Sequence, residues 1–317
     1  MNGNSKLHQA IEDLKDGKFI LIYDADGREE ETDLVIGSQF ISPERIRTLR
    51  MDGGGLICTT MDHDTRVKLG LPYLSEIFHE MGAKFNVLNK LIPNDIPYDE
   101  ISSFSVTINH RKTFTGITDN DRAFTISEFS NLISNINKQE NGNAQKLFGE
   151  QFRAPGHVHL LNSSKNLLSG RKGHTELATA MVIMAGLIPT ATICEMMDSN
   201  GSARSKDNAK KYAEEHGLTF LEGYEVIEAS NGIDAIEQYK NQRPDGVLLD
   251  INMPEKDGIV TLQELIDMDP DARVAMVTCV GSQSVILAAL QIGAKNFIIK
   301  PAEKDRLIDS VEKLLAQ

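Results

Sequence analysis

The segment KFILIYDADGREEETD, residues 18–33, joins an apolar strand to a loop crowded with carboxylates. The charged residues of this segment after the strand are Asp24, Asp26, Arg28, Glu29, Glu30, Glu31 and Asp33. Carboxylates packed this densely repel one another unless water or a cation separates them, and Mg²⁺ prefers oxygen ligands. The segment therefore predicts a strand that leads into a metal-binding loop, and a solvated acidic loop is the alternative.

Around this strand, the first 221 residues mix helices and strands without a regular repeat. The pattern predicts helices over residues 6–17, 174–186 and 205–217, and strands over residues 54–60, 102–110 and 157–162. The polar segment NKQENGN, residues 137–143, is the best candidate for an internal loop. This mixture is typical of an α+β domain.

From residue 224 onward, predicted strands and helices alternate regularly. The strands are YEVIEAS, GVLLDINMP, RVAMVTCVG and KNFIIKP, and the helices are GIDAIEQYKNQ, VTLQELIDMD, SVILAALQIGA and EKDRLIDSVEKLLAQ. Continuous β-branched runs between amphipathic helices indicate a parallel sheet covered on both faces, as in doubly wound α/β folds. We therefore predict two domains, residues 1–221 and 222–317.

Composition excludes several classes of protein. The 317 residues suffice for one or two ordinary cores, and no apolar run approaches the ~20 residues of a bilayer span. The net charge of −13 argues against a nucleic-acid groove or an anionic membrane surface. Cys58, Cys194 and Cys279 cannot form a disulfide framework or a four-cysteine zinc site, so we expect a soluble protein in the reducing cytoplasm.

A second polar cluster spans FRAPGHVHLL and SGRKGHTELA, which carry His157 and His174. Gly173, at the start of an apolar helix, indicates a backbone that comes close to a ligand, with amides free to bind an anion. Arg171 and Lys172 add positive charge for a phosphate. A lone histidine is more often structural, but two histidines framed by glycines and basic residues favour a binding site.

A third cluster is ATICEMM, in which Glu195 follows a strand of small and β-branched residues. Burial penalises the charged form of a carboxylate, which suits a general acid or base near neutral pH. Cys194 has no histidine beside it in sequence and is interpreted as a small core residue. Cys58 follows a glycine run that brings the backbone close to another group, and a structural role is again the favoured interpretation.

Six motifs resemble, in order and spacing, those of the 3,4-dihydroxy-2-butanone 4-phosphate synthase family: YDADGREEETD, GGGLICTT, TFTGITDNDRAFT, FRAPGHVHLL, RKGHTELA and ICEMM. The resemblance covers residues 6–221. It implies a lyase of riboflavin biosynthesis that converts ribulose 5-phosphate to the four-carbon phosphate and formate. It also implies one α+β domain, a requirement for Mg²⁺ or Mn²⁺, and a homodimer in which both subunits contribute to each active site.

The same resemblance assigns roles to individual residues. Glu29 and His174 match the metal ligands, and Glu29, His157 and Glu195 match catalytic positions. The matched substrate-binding positions are Arg28, Asp33, Arg171, Lys172, Gly173, His174 and Thr175, with Thr115 and Cys58 in motifs that line the same pocket. Glu30 stands where the family often has a small or polar residue, and this departure bears on metal affinity.

Reaction of a ketose phosphate requires a metal, a base and a phosphate clamp. A metal chelated by the carbonyl and hydroxyl oxygens stabilises the enediolate that forms when the proton next to the carbonyl is removed. Glu29 and His174 supply the metal site, and Arg171 with nearby amides supplies the clamp. The base is Glu195 or a carboxylate of the acidic loop, and the sequence leaves open which carboxylate takes which proton.

The second domain resembles a CheY-like response-regulator receiver. GVLLDINMPEKDG, MVTCVG and KNFIIKPA place Asp250 at the phosphoacceptor position, Thr278 and Lys300 at phosphate-binding positions, and Phe297 at the aromatic switch position. Ends of parallel strands meet at one edge of a sheet, which supports a common site.

The resemblance to a receiver does not include the first part of that fold. A first strand and helix, roughly two dozen residues, are missing, and with them the acidic pair that holds Mg²⁺ for phosphoryl transfer. We expect an incomplete doubly wound domain that is a poor phosphoacceptor, which argues against a histidine kinase partner. Glu222 is the nearest acidic residue to compensate, and LTFL, residues 218–221, is a candidate to fill the gap in the sheet.

Two functions of different classes follow from these patterns. The first is a Mg²⁺-dependent lyase acting on ribulose 5-phosphate, and the alternative is a signalling protein in which the synthase part is a non-catalytic scaffold. A recombination product with a passive tail, natural or engineered, is a third possibility. The joint presence of Glu29, His157, His174 and Glu195 favours the enzyme.

Overall fold

The computed structural model describes residues 3–92, 95–96, 99, 102–138, 143–223, 229–278, 283–300, 310 and 314. The chain divides into two compact units: residues 9–224 form the larger, and residues 225–317 together with residues 1–8 form the smaller. Among the described residues, no helix is both long enough and apolar enough to cross a bilayer.

A seven-stranded mixed sheet forms the centre of the larger unit. Its strands are β1 (Ile20–Tyr23), β2 (Thr32–Gly37), β3 (Cys58–Met61), β4 (Phe104–His110), β5 (Phe152–Asn162), β6 (Ala191–Glu195) and β7 (Thr219–Glu222). They lie in the order β4-β5-β3-β6-β2-β1-β7. Every residue of β1 and β2 is buried, because these apolar strands lie inside the sheet.

Helices flank this sheet, and together with it they confirm the α+β prediction. They are α1 (Gly3–Lys15), α2 (Pro43–Thr48), α3 (His63–Leu69), α4 (Leu74–Met81), α5 (Asp119–Lys138), α6 (Ala144–Gln151), α7 (His174–Met184) and α8 (Lys206–His216). Short polar side chains cap the N-termini of several helices. Asp62 accepts a hydrogen bond from the N–H of Thr65 in α3, and Ser205 accepts one from the N–H of Asn208 in α8.

The 20-residue helix α5 was not predicted from the sequence. Its buried face carries Ile126, Phe129 and Ile133, but Thr125 and Ser130 are buried on it too. The hydroxyl of Thr125 accepts the backbone N–H of His110, which explains a polar residue at that position. Buried hydroxyls of this kind interrupt the apolar stripe by which a helix is recognised.

The topology brings two segments that carry predicted site residues together. Strands β2 and β6 pair antiparallel with Asp33 opposite Glu195, so these two carboxylates are cross-strand neighbours. Strands β1 and β7 pair parallel, so the acidic loop after β1 and the chain after β7 leave the same edge of the sheet. Strand β7 ends at Glu222, one residue beyond the predicted boundary, and LTFL thus contributes to this sheet and does not fill a gap in the smaller unit.

Gly223 lies against the backbone of the acidic loop. Its N–H donates to the carbonyl oxygen of Tyr23 at 2.6 Å, and a Cβ added at Gly223 would lie 1.9 Å from the carbonyl oxygen of Asp24. Because backbone cannot yield as a flexible side chain does, we expect Gly223→Ala to lower the free energy of unfolding by about 2 kcal/mol. Urea unfolding measures this. Gly149→Ala in α6, where an added Cβ meets nothing within 4 Å, is the control, and equal stability of the two variants would contradict the expectation.

A three-stranded parallel sheet with helices forms the described part of the smaller unit. In chain order its elements are α9 (Gly232–Gln242), β8 (Val247–Asp250), α10 (Gly258–Met268), β9 (Val274–Thr278), α11 (Gln283–Ile292) and β10 (Asn296–Ile299). The strand order β10-β9-β8 and the alternation with helices match the predicted α/β pattern. Most of the predicted strand over residues 224–230 and of the predicted helix over residues 303–317 lies outside the described residues, as does Cys279.

Candidate active site

Asp24 organises the acidic loop that follows β1. Its carboxylate is fully buried and accepts backbone N–H groups from Glu29 at 2.9 Å and from Glu31 at 3.1 Å. It also accepts a hydrogen bond from Nη1 of Arg28 at 3.0 Å. Both oxygens of Asp24 are therefore engaged in folding the loop, which turns the Glu29 side chain toward α7.

Glu29 and His174 meet at the start of α7. Nδ1 of His174 is 3.2 Å from Oε2 of Glu29, and Nε2 is 3.2 Å from the carbonyl oxygen of Glu31 and 3.7 Å from Oδ1 of Asp33. Asp24, Glu29 and His174 place one possible ligand atom each within 4.8 Å of one another. Within the described part of the chain, no other three potential ligand side chains converge in this way.

Three pKa values are shifted in this cluster. Burial raises the pKa of Glu29, but His174, Arg28 and Arg171 outweigh it and bring the value to about 2. Burial lowers the pKa of His174, but Asp33, Glu29 and Asp24 outweigh it and raise the value to about 9. For Asp33, burial and the nearby carboxylates prevail over His174 and raise the pKa to about 8. At neutral pH, Glu29 is therefore ionised and Asp33 holds a proton.

Two arginines converge beside this cluster, from the acidic loop and from the segment before α7. Arg28 and Arg171 each place Nη2 2.6 Å from Oδ2 of Asp99. A Cβ added at Gly173 would lie 2.1 Å from Nη1 of Arg171 and 2.8 Å from Nη2 of Arg28. An alanine at position 173 would therefore displace the guanidinium groups of both arginines from their present positions.

Glu195 reaches the same cleft from the end of β6. Its Oε2 accepts the N–H of Leu56 at 2.7 Å, and a Cβ added at Gly55 would lie 2.5 Å from that oxygen. The group approached by the glycine run before Cys58 is thus the Glu195 side chain. Glu195 is half-buried and not fully buried, because the cleft exposes it to solvent.

These side chains line one cleft of about 630 Å³, part of which is open to solvent. The predicted site residues that line it are Glu29, Asp33, Cys58, Arg171, His174, Thr175 and Glu195. Cys58 is buried in its wall, and desolvation raises its pKa well above the ordinary value, so its thiol is protonated and unreactive. Cys194 is fully buried and donates to the carbonyl oxygen of Leu49, as expected for a core residue.

His157, Thr115 and Lys172 are exposed and do not line this cleft. Asn109 on β4 links two of them: its Nδ2 donates to the carbonyl oxygen of Thr115 at 3.2 Å and lies 3.1 Å from Nδ1 of His157. Oδ1 of Asn109 also accepts the N–H of His157 at 2.8 Å. A second polar cluster therefore stands on the surface of the larger unit, apart from the residues that line the cleft.

Glu30 has a local role in the loop. It has a φ of +58°, its side chain is exposed, and its Oε1 accepts the N–H of Gly27 at 2.9 Å. The carboxylate therefore closes the tip of the loop and is not part of the cluster around His174.

Sequence reasoning missed Asp99, which lines the cleft, and Glu176, which holds Arg171. Glu176 is fully buried in the first turn of α7 and accepts hydrogen bonds from Nη1 of Arg171 at 2.8 Å and from the N–H of Ser164 at 3.0 Å. A glutamate inside an apolar helix was a signal for it, because a buried carboxylate needs a cationic partner. No pattern marked Asp99, which lies in a segment of irregular sequence.

The smaller unit brings its predicted residues together. Nζ of Lys300 lies 2.6 Å from Oδ2 of Asp250 at the end of β8, and the backbone N–H of Lys300 donates to the carbonyl oxygen of Thr278 at the end of β9. Burial raises the pKa of Asp250, but Lys300 and neighbouring backbone groups outweigh it, so the net shift is downward. Glu222 belongs to β7 of the larger unit.

Comparisons with known proteins agree with both halves of the chain. A family model described as 3,4-dihydroxy-2-butanone 4-phosphate synthase matches residues 8–229, and one described as response regulator receiver domain matches residues 211–312. The synthase of Methanothermobacter thermautotrophicus is 46% identical over 224 residues, which make up 70% of this chain and 95% of that protein. The synthase of Methanosarcina acetivorans is 43% identical over 230 residues, which make up 72% of this chain and 92% of that protein.

Solved structures share the fold of the larger unit. A 3,4-dihydroxy-2-butanone 4-phosphate synthase in complex with two magnesium ions superimposes with a TM-score of 0.55 at 22% identity, covering 75% of this chain and 97% of that one. A two-domain synthase from A. baumannii gives a TM-score of 0.54 at 24% identity, covering 68% of this chain and 55% of that one. The chain therefore belongs to the 3,4-dihydroxy-2-butanone 4-phosphate synthase family of lyases, and it continues into a response regulator receiver domain.

Proposed function

We propose that residues 1–221 convert D-ribulose 5-phosphate to L-3,4-dihydroxy-2-butanone 4-phosphate and formate with the help of Mg²⁺ or Mn²⁺. The observation that carries this proposal is the convergence of Glu29, His174, the buried carboxyl of Asp33 and Arg171 on one cleft, with Arg28 beside them. Glu29 and His174 would hold the metal, since an ionised carboxylate and an imidazole are ordinary ligands of divalent cations. The orphaned, buried Oδ1 of Asp33 beside them supports a site that takes a polar ligand.

Each remaining group has a role that its surroundings support. When bound, the metal supplies positive charge that stabilises an enediolate. Arg28 and Arg171 bind the phosphate of the substrate. Burial raises the pKa of Asp33, which suits a general acid, whereas Glu195, held by the Leu56 N–H and open to the cleft, acts as the base.

The fate of one carbon atom tests the reaction. Ribulose 5-phosphate labelled with ¹³C at C4 is incubated with the full chain and Mg²⁺, and products are followed by ¹³C NMR. The proposal predicts that the label appears in formate. Label retained in a sugar phosphate would contradict it. The alternative of a non-catalytic scaffold has no specific observation in its favour, because every cleft residue that the chemistry needs is present.

We infer further that the synthase part works as a homodimer with shared active sites. His157 is exposed and outside the cleft, although the family resemblance makes it essential for the chemistry. Phe114, which directly precedes the Thr115 bound by Asn109, is an apolar side chain that is 94% exposed. A second copy that covers this surface would place its His157 at the cleft of the first.

Mixing two inactive variants tests this arrangement. His157→Ala and His174→Ala proteins should each be inactive, whereas subunits exchanged between them should regain about a quarter of wild-type activity. That fraction follows because half of the dimers are mixed and each of these has one intact site. Sedimentation of the wild type as a dimer is the accompanying measurement. An active monomer, or no recovery in mixtures proven to contain heterodimers, would contradict shared sites.

We expect the receiver-like unit, residues 222–317, to accept phosphate poorly. Phosphoryl transfer to a carboxylate requires a metal that neutralises the phosphoryl oxygens. Around Asp250, no three metal-ligating side chains converge among the described residues. Glu222 cannot readily compensate, because Lys206 and Lys210 each contact its carboxylate at 2.7 Å.

Acetyl phosphate with Mg²⁺ provides the test. Mass spectrometry should find an acyl phosphate on Asp250 in less than about a tenth of the molecules, since one carboxylate alone is a weak Mg²⁺ site. The control is Asp250→Asn, which should show the same background. Stoichiometric labelling that disappears in Asp250→Asn would show that the unit is a competent phosphoacceptor.

A further inference from the structure

One oxygen of Asp99 occupies the position between the two arginines of the cleft. Oδ2 of Asp99 is 2.6 Å from Nη2 of Arg28 and 2.6 Å from Nη2 of Arg171. All three side chains are shielded from solvent, with 9% of Asp99, 10% of Arg28 and 17% of Arg171 exposed. The contact of Asp99 with Arg28 is a hydrogen bond and its contact with Arg171 is an ion pair. Charged contacts of this length between shielded groups are among the strong ones.

The arginine pair is held in place by groups other than Asp99. Asp24 accepts a hydrogen bond from Nη1 of Arg28 at 3.0 Å, and the fully buried Glu176 accepts one from Nη1 of Arg171 at 2.8 Å. Nη1 of each arginine contacts a buried carboxylate, and Nη2 of each contacts Asp99. Glu29 lies beside the pair, with Oε1 3.2 Å from Nη1 of Arg28 and 4.0 Å from Nη2 of Arg171. The two Nη2 groups form an anion position whose geometry is set without Asp99.

We propose that Asp99 is an internal competitor for the phosphate of the substrate: its carboxylate fills the anion position between Arg28 and Arg171, and a phosphate monoester binds there by displacing it. The inference rests on the proposed function, because that function supplies the phosphate. Carboxylate and phosphate oxygens form the same kind of bond to a guanidinium group, so both cannot use the two Nη2 groups at once.

Such competition favours phosphate over weaker anions. A phosphate dianion brings more charge and more acceptor oxygens than one carboxylate, so it can displace Asp99 where a carboxylate ligand gains nothing by the exchange. The apparent affinity for phosphate equals the intrinsic affinity multiplied by the fraction of time that the position is open. An Asp99 that fills it nine-tenths of the time weakens the apparent affinity roughly tenfold.

Binding of inorganic phosphate to the full chain tests the proposal without any turnover. Isothermal titration calorimetry compares the wild type with Asp99→Asn, which keeps the size of the side chain and removes its charge. The variant should bind inorganic phosphate about tenfold more tightly. Unchanged or weaker binding in the variant would overturn the proposal, because it would mean that Asp99 organises the arginines instead of competing for them.

Asp95→Asn is the matched control. Asp95 lies four residues from Asp99, is exposed and does not line the cleft, so its loss changes the net charge equally and should leave phosphate binding unchanged. An equal gain in phosphate affinity in both variants would show that the effect comes from net charge alone, and it would overturn the proposal. Should Asp99→Asn fail to fold, as judged by thermal unfolding, Asp99→Ser provides the same comparison. A protein without lyase activity still answers the question, since phosphate binding alone is measured.

Discussion

Replacing His174 with alanine is expected to lower kcat/KM for ribulose 5-phosphate at least about a thousandfold. The imidazole is 6% exposed and contacts Oε2 of Glu29 at 3.2 Å. Because Asp24 uses both carboxylate oxygens to fold the loop, Glu29 would be the main ligand left among the three converging side chains Asp24, Glu29 and His174. One ligand cannot keep a divalent cation in place against water, and the reaction then loses its main source of charge stabilisation.

Formate release measures this effect, and His79→Ala is the control. His79 is exposed on α4 and away from the cleft, so its variant should keep wild-type activity. Circular dichroism and thermal unfolding should show that His174→Ala is folded, because the sheet does not depend on its side chain. More than a tenth of wild-type activity in His174→Ala would mean that the metal is held elsewhere.

Metal affinity is expected to rise about tenfold for each pH unit between roughly pH 6.5 and 8.5. The carboxylates of Asp33, Glu29 and Asp24 outweigh burial and raise the pKa of His174 to about 9 in the metal-free protein. A metal binds the neutral imidazole, so it must expel this proton, and proton and metal compete. Below pH 9 the proton is present, and each unit of acidification therefore weakens metal binding.

Titration of Mn²⁺ followed by electron paramagnetic resonance gives the affinity at each pH, and calorimetry in buffers of different ionisation enthalpy counts the protons released. One proton per metal is expected from His174. His174→Gln, which offers an amide oxygen and cannot titrate, should bind more weakly and with a flatter pH dependence. An affinity that is constant across this range in the wild type would contradict the assignment of His174 as a ligand.

Half of the residues that line the cleft were predicted as site residues, several of them because they stand at the ends of regular elements. The carboxylates after β1 and Glu195 at the end of β6 follow apolar strands, and His174 begins an apolar helix. Each junction is visible as a change of pattern. The sequence could not show that Asp24 folds the loop and leaves Glu29 for the metal, because that division of roles depends on which oxygens meet backbone N–H groups.

Other features depend on contacts between distant segments. Asp99 has no motif, and only the fold brings it to Arg28 and Arg171. The protonated carboxyl of the cleft is Asp33, whose burial comes from its central place in β2, whereas sequence reasoning expected a buried carboxylate at Glu195. The sequence suggested that Glu222 assists the receiver-like unit. In the structure Glu222 is the last residue of β7, paired with Tyr23 of β1, and so belongs to the sheet of the larger unit.

We propose that this chain is a metal-dependent synthase acting on ribulose 5-phosphate. The most direct test is formate release by the purified full-length chain, measured with ribulose 5-phosphate in millimolar Mg²⁺ and again in excess EDTA. When Mg²⁺ is present, we expect formate equimolar with the ribulose 5-phosphate consumed. Chelation should abolish turnover, and added Mg²⁺ or Mn²⁺ should restore it. Absence of formate in Mg²⁺, or undiminished turnover in excess EDTA, would contradict it.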